Sequence, residues 1–215
     1  IRGAVTWKST VGTNVASDAL SNIASVGVMG GSLIVLGEDY GEGSSIIQER
    51  SHAFAMKCSV WLVDPRVNHP RIVELVEKSF ELSEASETPV MLMIRIRACH
   101  MHGHYPAKDN RRANFTAKDA LQNPTRDPSK IILPPSTYEQ EQRKVNHRYP
   151  AAVNFVREHK LNELLPGARD EIGIVVQGGL FNAVSRALAL LGLSDYFGNS
   201  EIPIYVLNVT YPLAD

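Results

Sequence analysis

Apolar positions along the chain fall into alternating short runs and helical stripes. Ile1 to Trp7 has the composition of a strand. Asn14 to Val28 then spaces Val15, Ala19, Leu20, Ile23 and Ala24 along one face of a helix. Ser32 to Leu36 reads SLIVL, a short apolar run of the kind buried on both faces of a parallel sheet. The glycine-bearing loop Gly37 to Ser45 follows, with Ser44 or Ser45 as N-cap of a helix reaching about Lys57. Val60 to Val63 predicts another strand, Pro70 to Ala85 an amphipathic helix, and Pro89 to Ile96 a further strand. Strands alternating with helices across short loops imply βαβ units and a parallel sheet.

The rhythm then breaks. His100 to Arg112 is polar and basic, and Pro124, Pro128, Pro134 and Pro135 punctuate the stretch after it, so residues 106–136 read as a linker. Ser136 or Thr137 can cap a long polar helix beginning at Tyr138. Glu171 to Gln177 restores the pattern as a strand. Gly178-Gly179 turns into a helix over Leu180 to Leu191, and Pro203 to Val209 reads as one more strand. The expectation is an α/β protein with one unit over 1–105 and a second over 137–215. Its ends fall beside strand-like runs, as in a segment cut from a longer polypeptide.

Composition narrows the function classes. The chain has 215 residues, 44% of them hydrophobic and 21% charged, which suits a folded core and excludes disorder or a coiled coil. A formal charge of −1 gives no basic excess for nucleic acid, and no apolar run is long enough to span a membrane. Cys58 and Cys99 are too few for a disulfide scaffold, so the expected setting is cytoplasmic.

Four segments can carry chemistry. The loop GEDYGEGSS follows a strand at the edge where open α/β sheets bind ligands, and its glycines Gly37, Gly41 and Gly43 let backbone approach closely. Asp39, Tyr40, Gly41, Ser44, Ser45 and the nearby Gln48 are its candidate cofactor-binding residues; a solvent-facing connection is the alternative. In QERSHAF, Arg50 can grip a carboxylate through two donors and His52 can carry a proton near neutral pH. Glu49 paired with Arg50 in solvent is the other reading. Thr13 and Asn14 open the first helix and can cap it or face a substrate. His100, His102 and His104 (HMHGH) invite a metal reading. The cationic neighbours Arg95, Arg97, Arg111 and Arg112, with no closed ligand set, argue against one.

The order and wording of these segments, TWKSTVGTNVASDALSNIASVGVMGGSLIVLGEDYGEGSSIIQERSHAFAMKC, then FELSEASETPVMLMIRIRACH, GIVVQGGLFNAV and YVLNVTYPLAD, resemble indolepyruvate ferredoxin oxidoreductases. Within that thiamine diphosphate-dependent family the likeness is greatest to the long fused forms. It implies part of a pyrimidine-binding domain followed by part of a transketolase C-terminal-like domain. The implied reaction converts an aryl 2-oxoacid and coenzyme A to an acyl-CoA, using thiamine diphosphate and Mg2+. Electrons pass through [4Fe–4S] clusters to ferredoxin. The resemblance aligns QERSHAF with the segment where related pyruvate enzymes keep an arginine for the substrate carboxylate, which implies that role for Arg50. It also places the activating glutamate upstream of Ile1 and the metal and cluster domains beyond Asp215, so this chain alone is expected to be inert. A homodimer is the implied assembly. A pyruvate-type ferredoxin oxidoreductase and a noncatalytic α/β interaction module are the alternatives.

Overall fold

A computed structural model describes residues 1–39, 47–110 and 116–214. Its larger sheet holds β1 (Gly3–Lys8), β2 (Ser32–Glu38), β4 (Val90–Arg95), β3 (Trp61–Val63) and β8 (Val209–Tyr211), side by side in that order. The first four run parallel; β8 pairs antiparallel with β3. The predicted strands are therefore found, and β2 extends two residues beyond the apolar run, to Glu38.

Helices cover both faces of this sheet, which is why its central strands are apolar throughout rather than alternating. On one face, α1 (Ser17–Val26) and α2 (Ser51–Cys58) bury Leu20, Ala24, Ala55 and Cys58 against Ile34, Leu36, Leu62, Met91 and Met93. On the other, α3 (His69–Ser86) packs Leu75 and Leu82 against Leu33, Val63, Val90 and Leu92. Asn68 begins α3 by accepting a hydrogen bond from the Arg71 amide at 3.1 Å. The short helices α4 (Ile96–Cys99) and α5 (Ala117–Gln122) follow β4.

The long polar helix predicted from Tyr138 is found as α6 (Ser136–Arg143), a π-helical turn over Lys144–Arg148, and α7 (Tyr149–Glu158). Neither Ser136 nor Thr137 caps it. Pro135 holds the N-cap position without a side-chain bond. The π-turn delivers the fully buried Arg148 to the end of α1, where it donates to the carbonyls of Ala24, Ser25 and Val26 at 2.9–3.3 Å. These are the carbonyls a helix leaves without internal partners.

The second sheet is small, in the order β5 (Glu163–Leu165), β7 (Ile204–Leu207), β6 (Ile174–Gln177). Helix α8 (Phe181–Leu190) closes a core of Val176, Phe181, Leu188, Ile202, Ile204 and Val206. Two segments from the C-terminal half nonetheless build the first core: α7 contributes Ala152, Phe155 and Val156, and β8 contributes Val209. The strand expected over Pro203 to Val209 is accordingly divided at Asn208, with β7 in one sheet and β8 in the other. Asn208 is fully buried and donates to Leu161 O and Glu163 Oε2, while its own Oδ1 accepts from the Arg66 amide. An amide side chain with both ends satisfied allows the chain to change sheets without an orphaned polar group. Among the described residues no helix is long and apolar enough to cross a membrane.

Candidate active site

The carboxyl ends of β2, β4 and β3 bring three ionisable side chains to one edge, Glu38, Arg95 and Asp64. Strand parity explains their common direction. Leu36, Met93 and Leu62 face the α1–α2 side, and the residue two positions on in each strand faces the same way. Glu38 stands directly beside Arg95 in the β2–β4 register. Arg95 donates to both carboxylate oxygens of Asp64, from Nε at 3.2 Å and from Nη2 at 2.7 Å. Asp64 is fully buried and Arg95 nearly so, which makes this a forked, desolvated ion pair.

The second sheet meets the edge at this pair. Arg95 Nη2 also donates to Gln177 Oε1 at 3.2 Å. A Cβ at Gly178 would lie 2.1 Å from the Asp64 carbonyl, and one at Gly179 would lie 2.1 Å from Arg95 Nε. The Gly178-Gly179 turn is thus a close backbone contact between the two sheets, and it leads into α8 as its sequence suggested.

The first turn of α2 lies over the same row. Ser51 N donates to Glu38 Oε2 at 3.4 Å. Burial pushes the Glu38 carboxyl above its ordinary range, although the nearby Ser51 hydroxyl and amide and the positive charge of Arg95 pull the other way. Burial likewise lowers His52, with Asp64 opposing and Arg95 reinforcing the shift. Glu38 Oε1, Ser51 Oγ, His52 Nε2 and Ser9 Oγ are buried and make no well-formed hydrogen bond. Ser9 begins the π-turn Ser9–Thr13 that follows β1. Four such atoms from three elements meeting at one edge are unusual in a folded core.

The residues singled out in the sequence divide among different tasks. Arg50 and Gln48 are exposed at the entry to α2, where Arg50 occupies the N-cap position. Asp39 pairs with Lys8 at 3.2 Å across the ends of β1 and β2. Thr13 is buried and accepts from Trp7 Nε1 at 3.0 Å. Asn14 donates to Thr10 O and to the Glu49 carboxylate, each at 2.7 Å. Neither caps α1, whose N-cap is Ala16; both hold the turn after β1 in shape. Tyr40, Gly41, Ser44 and Ser45 lie outside the described residues, as does the expected helix start at Ser44 or Ser45; α2 begins at Ser51. His100, His102 and His104 are exposed, and among the described residues no group of three or more His, Cys, Asp or Glu side chains could hold a metal ion.

Glu38, Asp64 and Arg95 were missed as site residues. Arg95, one of the cations that the sequence sets beside the His100–His104 segment, is buried and neutralised by Asp64. The available signal was a charged side chain at, or one past, the end of three apolar strands, in the parity that points inward.

No family model matches the chain. It is similar over nearly all its length to indolepyruvate oxidoreductase subunit IorA of archaea. The Methanothermobacter thermautotrophicus protein is 30% identical over 211 residues, and that of Methanothermobacter marburgensis 29% over 208, each match covering 96% of this chain. The Thermococcus kodakarensis subunit is 27% identical over 196 residues. The chain spans 32% of the length of the two Methanothermobacter relatives. Among solved structures, it resembles 2-oxoglutarate:ferredoxin oxidoreductase from Magnetococcus marinus, solved with 2-oxoglutarate, coenzyme A and succinyl-CoA bound. The TM-score is 0.61 at 13% identity, covering 98% of this chain and 42% of that one, a likeness of fold. The resemblance to indolepyruvate oxidoreductases read from the segment pattern therefore holds along the chain, as does the α/β fold that it implied.

Proposed function

We propose that the chain is a working part of an oxidoreductase that oxidatively decarboxylates an aryl 2-oxoacid, indolepyruvate-like, to an acyl-CoA and passes the electrons to ferredoxin. The observation that carries this reading is the similarity to indolepyruvate oxidoreductase subunits along 96% of the chain. The chemistry of the carboxyl edge agrees with it. Arg50 stands at the mouth of α2 with a planar, permanently charged donor fork, the group suited to orient the carboxylate that every 2-oxoacid carries. A substrate held in one orientation reaches the reacting geometry with less entropy left to lose. Thr13 and Asn14 contribute by keeping the neighbouring turn in place.

Thiamine diphosphate, when bound, supplies the stabilisation of negative charge at the carbonyl carbon. The edge is compatible with a bound group: among the described residues Glu38 Oε1 is buried without a partner, and a Cβ at Gly37 would meet only the Trp7 carbonyl, at 4.0 Å. Asp39 and Gln48 would line its place on this chain, along with Tyr40, Gly41, Ser44 and Ser45 of the same loop. Two cysteines cannot ligate a [4Fe–4S] cluster, which takes four thiolates, so the clusters belong to other parts of the protein.

The test uses the full-length protein with thiamine diphosphate, Mg2+, coenzyme A, an electron acceptor and, in parallel, indolepyruvate, pyruvate or 2-oxoglutarate. The expected result is coenzyme A-dependent acceptor reduction, fastest with indolepyruvate. Preference for pyruvate would move the reading to the pyruvate-type enzymes, and no turnover with any of the three would sink it. The 215-residue chain alone should give none. Arg50→Lys keeps the charge and loses the fork, so kcat/KM should fall at least roughly tenfold, about 1.4 kcal/mol.

A further inference from the structure

We propose that two copies of this protein meet through the outer face of α8 and the loop after it, with Arg186 of each copy pairing with Asp195 of the other. The proposal names a contact surface that the reading above leaves open, and it rests on none of that chemistry. The sequence sets the face. Phe181, Val184 and Leu188 pack α8 into the second core, which turns Asn182, Ser185, Arg186 and Ala189, at helical spacing, away from it. These four, with Asp195 and Tyr196, line an open groove of about 460 Å3. Leu190, Leu191, Tyr196 and Phe197 are 71–95% exposed beside it. Single apolar side chains on a surface are ordinary, but several large ones rimmed by polar groups mark an interaction site.

The loop that carries Tyr196 and Phe197 is fixed by its own hydrogen bonds. Asp195 Oδ1 accepts from the amides of Phe197 at 2.9 Å and Asn199 at 2.8 Å, and its Oδ2 accepts from Asn199 Nδ2 at 2.7 Å. Glu201 N donates to Leu193 O at 2.8 Å and closes the base of the loop. The two rings are therefore presented with less freedom to lose on contact. Charge selects what they meet. Arg186 is exposed and, among the described residues, makes no hydrogen bond or ion pair; Asp195 has no cation beside it. A groove lined by one unpaired charge of each sign is complementary to itself, whereas an acidic or a basic partner would satisfy only one of the two. A two-fold axis through the groove forms both Arg186–Asp195 pairs at once. It also lays each Tyr196 along Ser185 and Ala189 of the other copy, where small side chains leave room for a ring.

Two-fold pairing has a signature that sedimentation of the full-length protein can read. Wild type, Arg186→Glu, Asp195→Lys and an equimolar mixture of the two variants are compared, with circular dichroism checking that each folds. Wild type should dimerise. Either variant alone sets like charges opposite one another twice and should weaken the dimer at least about tenfold. In the mixture the two reversed charges meet each other and the two native charges do likewise, so dimers should return to within about threefold of wild-type affinity. Asp195→Lys also removes the acceptor that shapes the loop, so Tyr196→Ser, at a side chain 95% exposed, supplies a further arm and should weaken the dimer by at least about fivefold. A monomeric wild type, or a dimer indifferent to Arg186→Glu and Tyr196→Ser, would overturn the proposal. So would a mixture of folded variants no tighter than either alone, which would give the face to another part of the protein or to a different partner. Should Asp195→Lys fail to fold, Arg186→Glu and Tyr196→Ser decide the question together.

Discussion

Glu38 and Glu87 stand at opposite ends of the same parallel sheet, and their surroundings differ. Glu87, just before β4 at the amino edge, receives Arg143 through Nε at 3.0 Å and Lys130 at 3.5 Å, with the buried Arg148 4.0 Å away. These cations, Arg143 foremost, hold its carboxyl down at about 2 against the cost of burial. Glu38, at the carboxyl edge, has one oxygen near a single amide and the other unpartnered, and burial pushes it up. A carboxylate that braces a fold is surrounded by donors. One kept underpaired is destabilised in its charged form, and it holds its proton above the ordinary carboxylate range.

The largest expected effect comes from removing the ion pair beside Glu38. Asp64→Ala leaves the Arg95 guanidinium buried without its carboxylate and should cost about 3–5 kcal/mol by urea unfolding at pH 7. A loss below about 1 kcal/mol would mean that Arg95 escapes to water, and the edge would then not be a dry one.

Gly178→Ala should cost about 1–3 kcal/mol, because the new methyl group meets the main chain of Asp64, Pro65 and Arg66 rather than a movable side chain. The same change at Gly192, where nothing lies within 4 Å, should cost only about 1 kcal/mol through its positive φ of 71°. Equal costs would show that the second sheet does not press on the carboxyl edge.

The two glutamates should respond to pH with opposite signs. Glu87 is depressed below its unfolded value, so its contribution is complete above about 4.5 and disappears as pH falls through about 2. Glu87→Gln should therefore lose about 1–2 kcal/mol at pH 7, a partly exposed network being worth less than its full shift, and match wild type near pH 2. Glu38 is raised, so the folded state loses stability as pH climbs from its unfolded value of 4.5 through its folded one. Glu38→Gln removes that penalty and should be more stable than wild type at pH 7, by up to about 1 kcal/mol, while no longer carrying a proton. Unfolding midpoints for both variants between pH 3 and 8 test the contrast. Parallel pH profiles for the two would break it.

Much of the architecture was legible along the chain because local physics writes it there. Fully apolar runs such as SLIVL and VMLM are buried on both faces, and the helix at 69–86 announces itself by its stripe of Leu75, Leu82 and their neighbours. The site was legible only in part. The carboxyl edge of β2 and the mouth of α2 were indicated by Gly37, Arg50 and His52, whereas Asp64 and Arg95 looked like ordinary flanking charges. Their pairing joins residues 31 apart in sequence and reaches Gln177 a further 82 away, contacts that no local window contains.

The sequence by itself determined the strand-helix alternation, the parallel sheet and the likeness to indolepyruvate oxidoreductases, since each rests on order and spacing along the chain. Only the tertiary structure decided that the run from Pro203 to Val209 divides between two sheets at Asn208, that a π-turn carries Arg148 to the end of α1, and that Gly178-Gly179 closes over Asp64 and Arg95. The physical reason is the same in all three cases. A buried polar group must find its partner wherever in the chain that partner lies, and which partner it finds depends on how the packed elements meet.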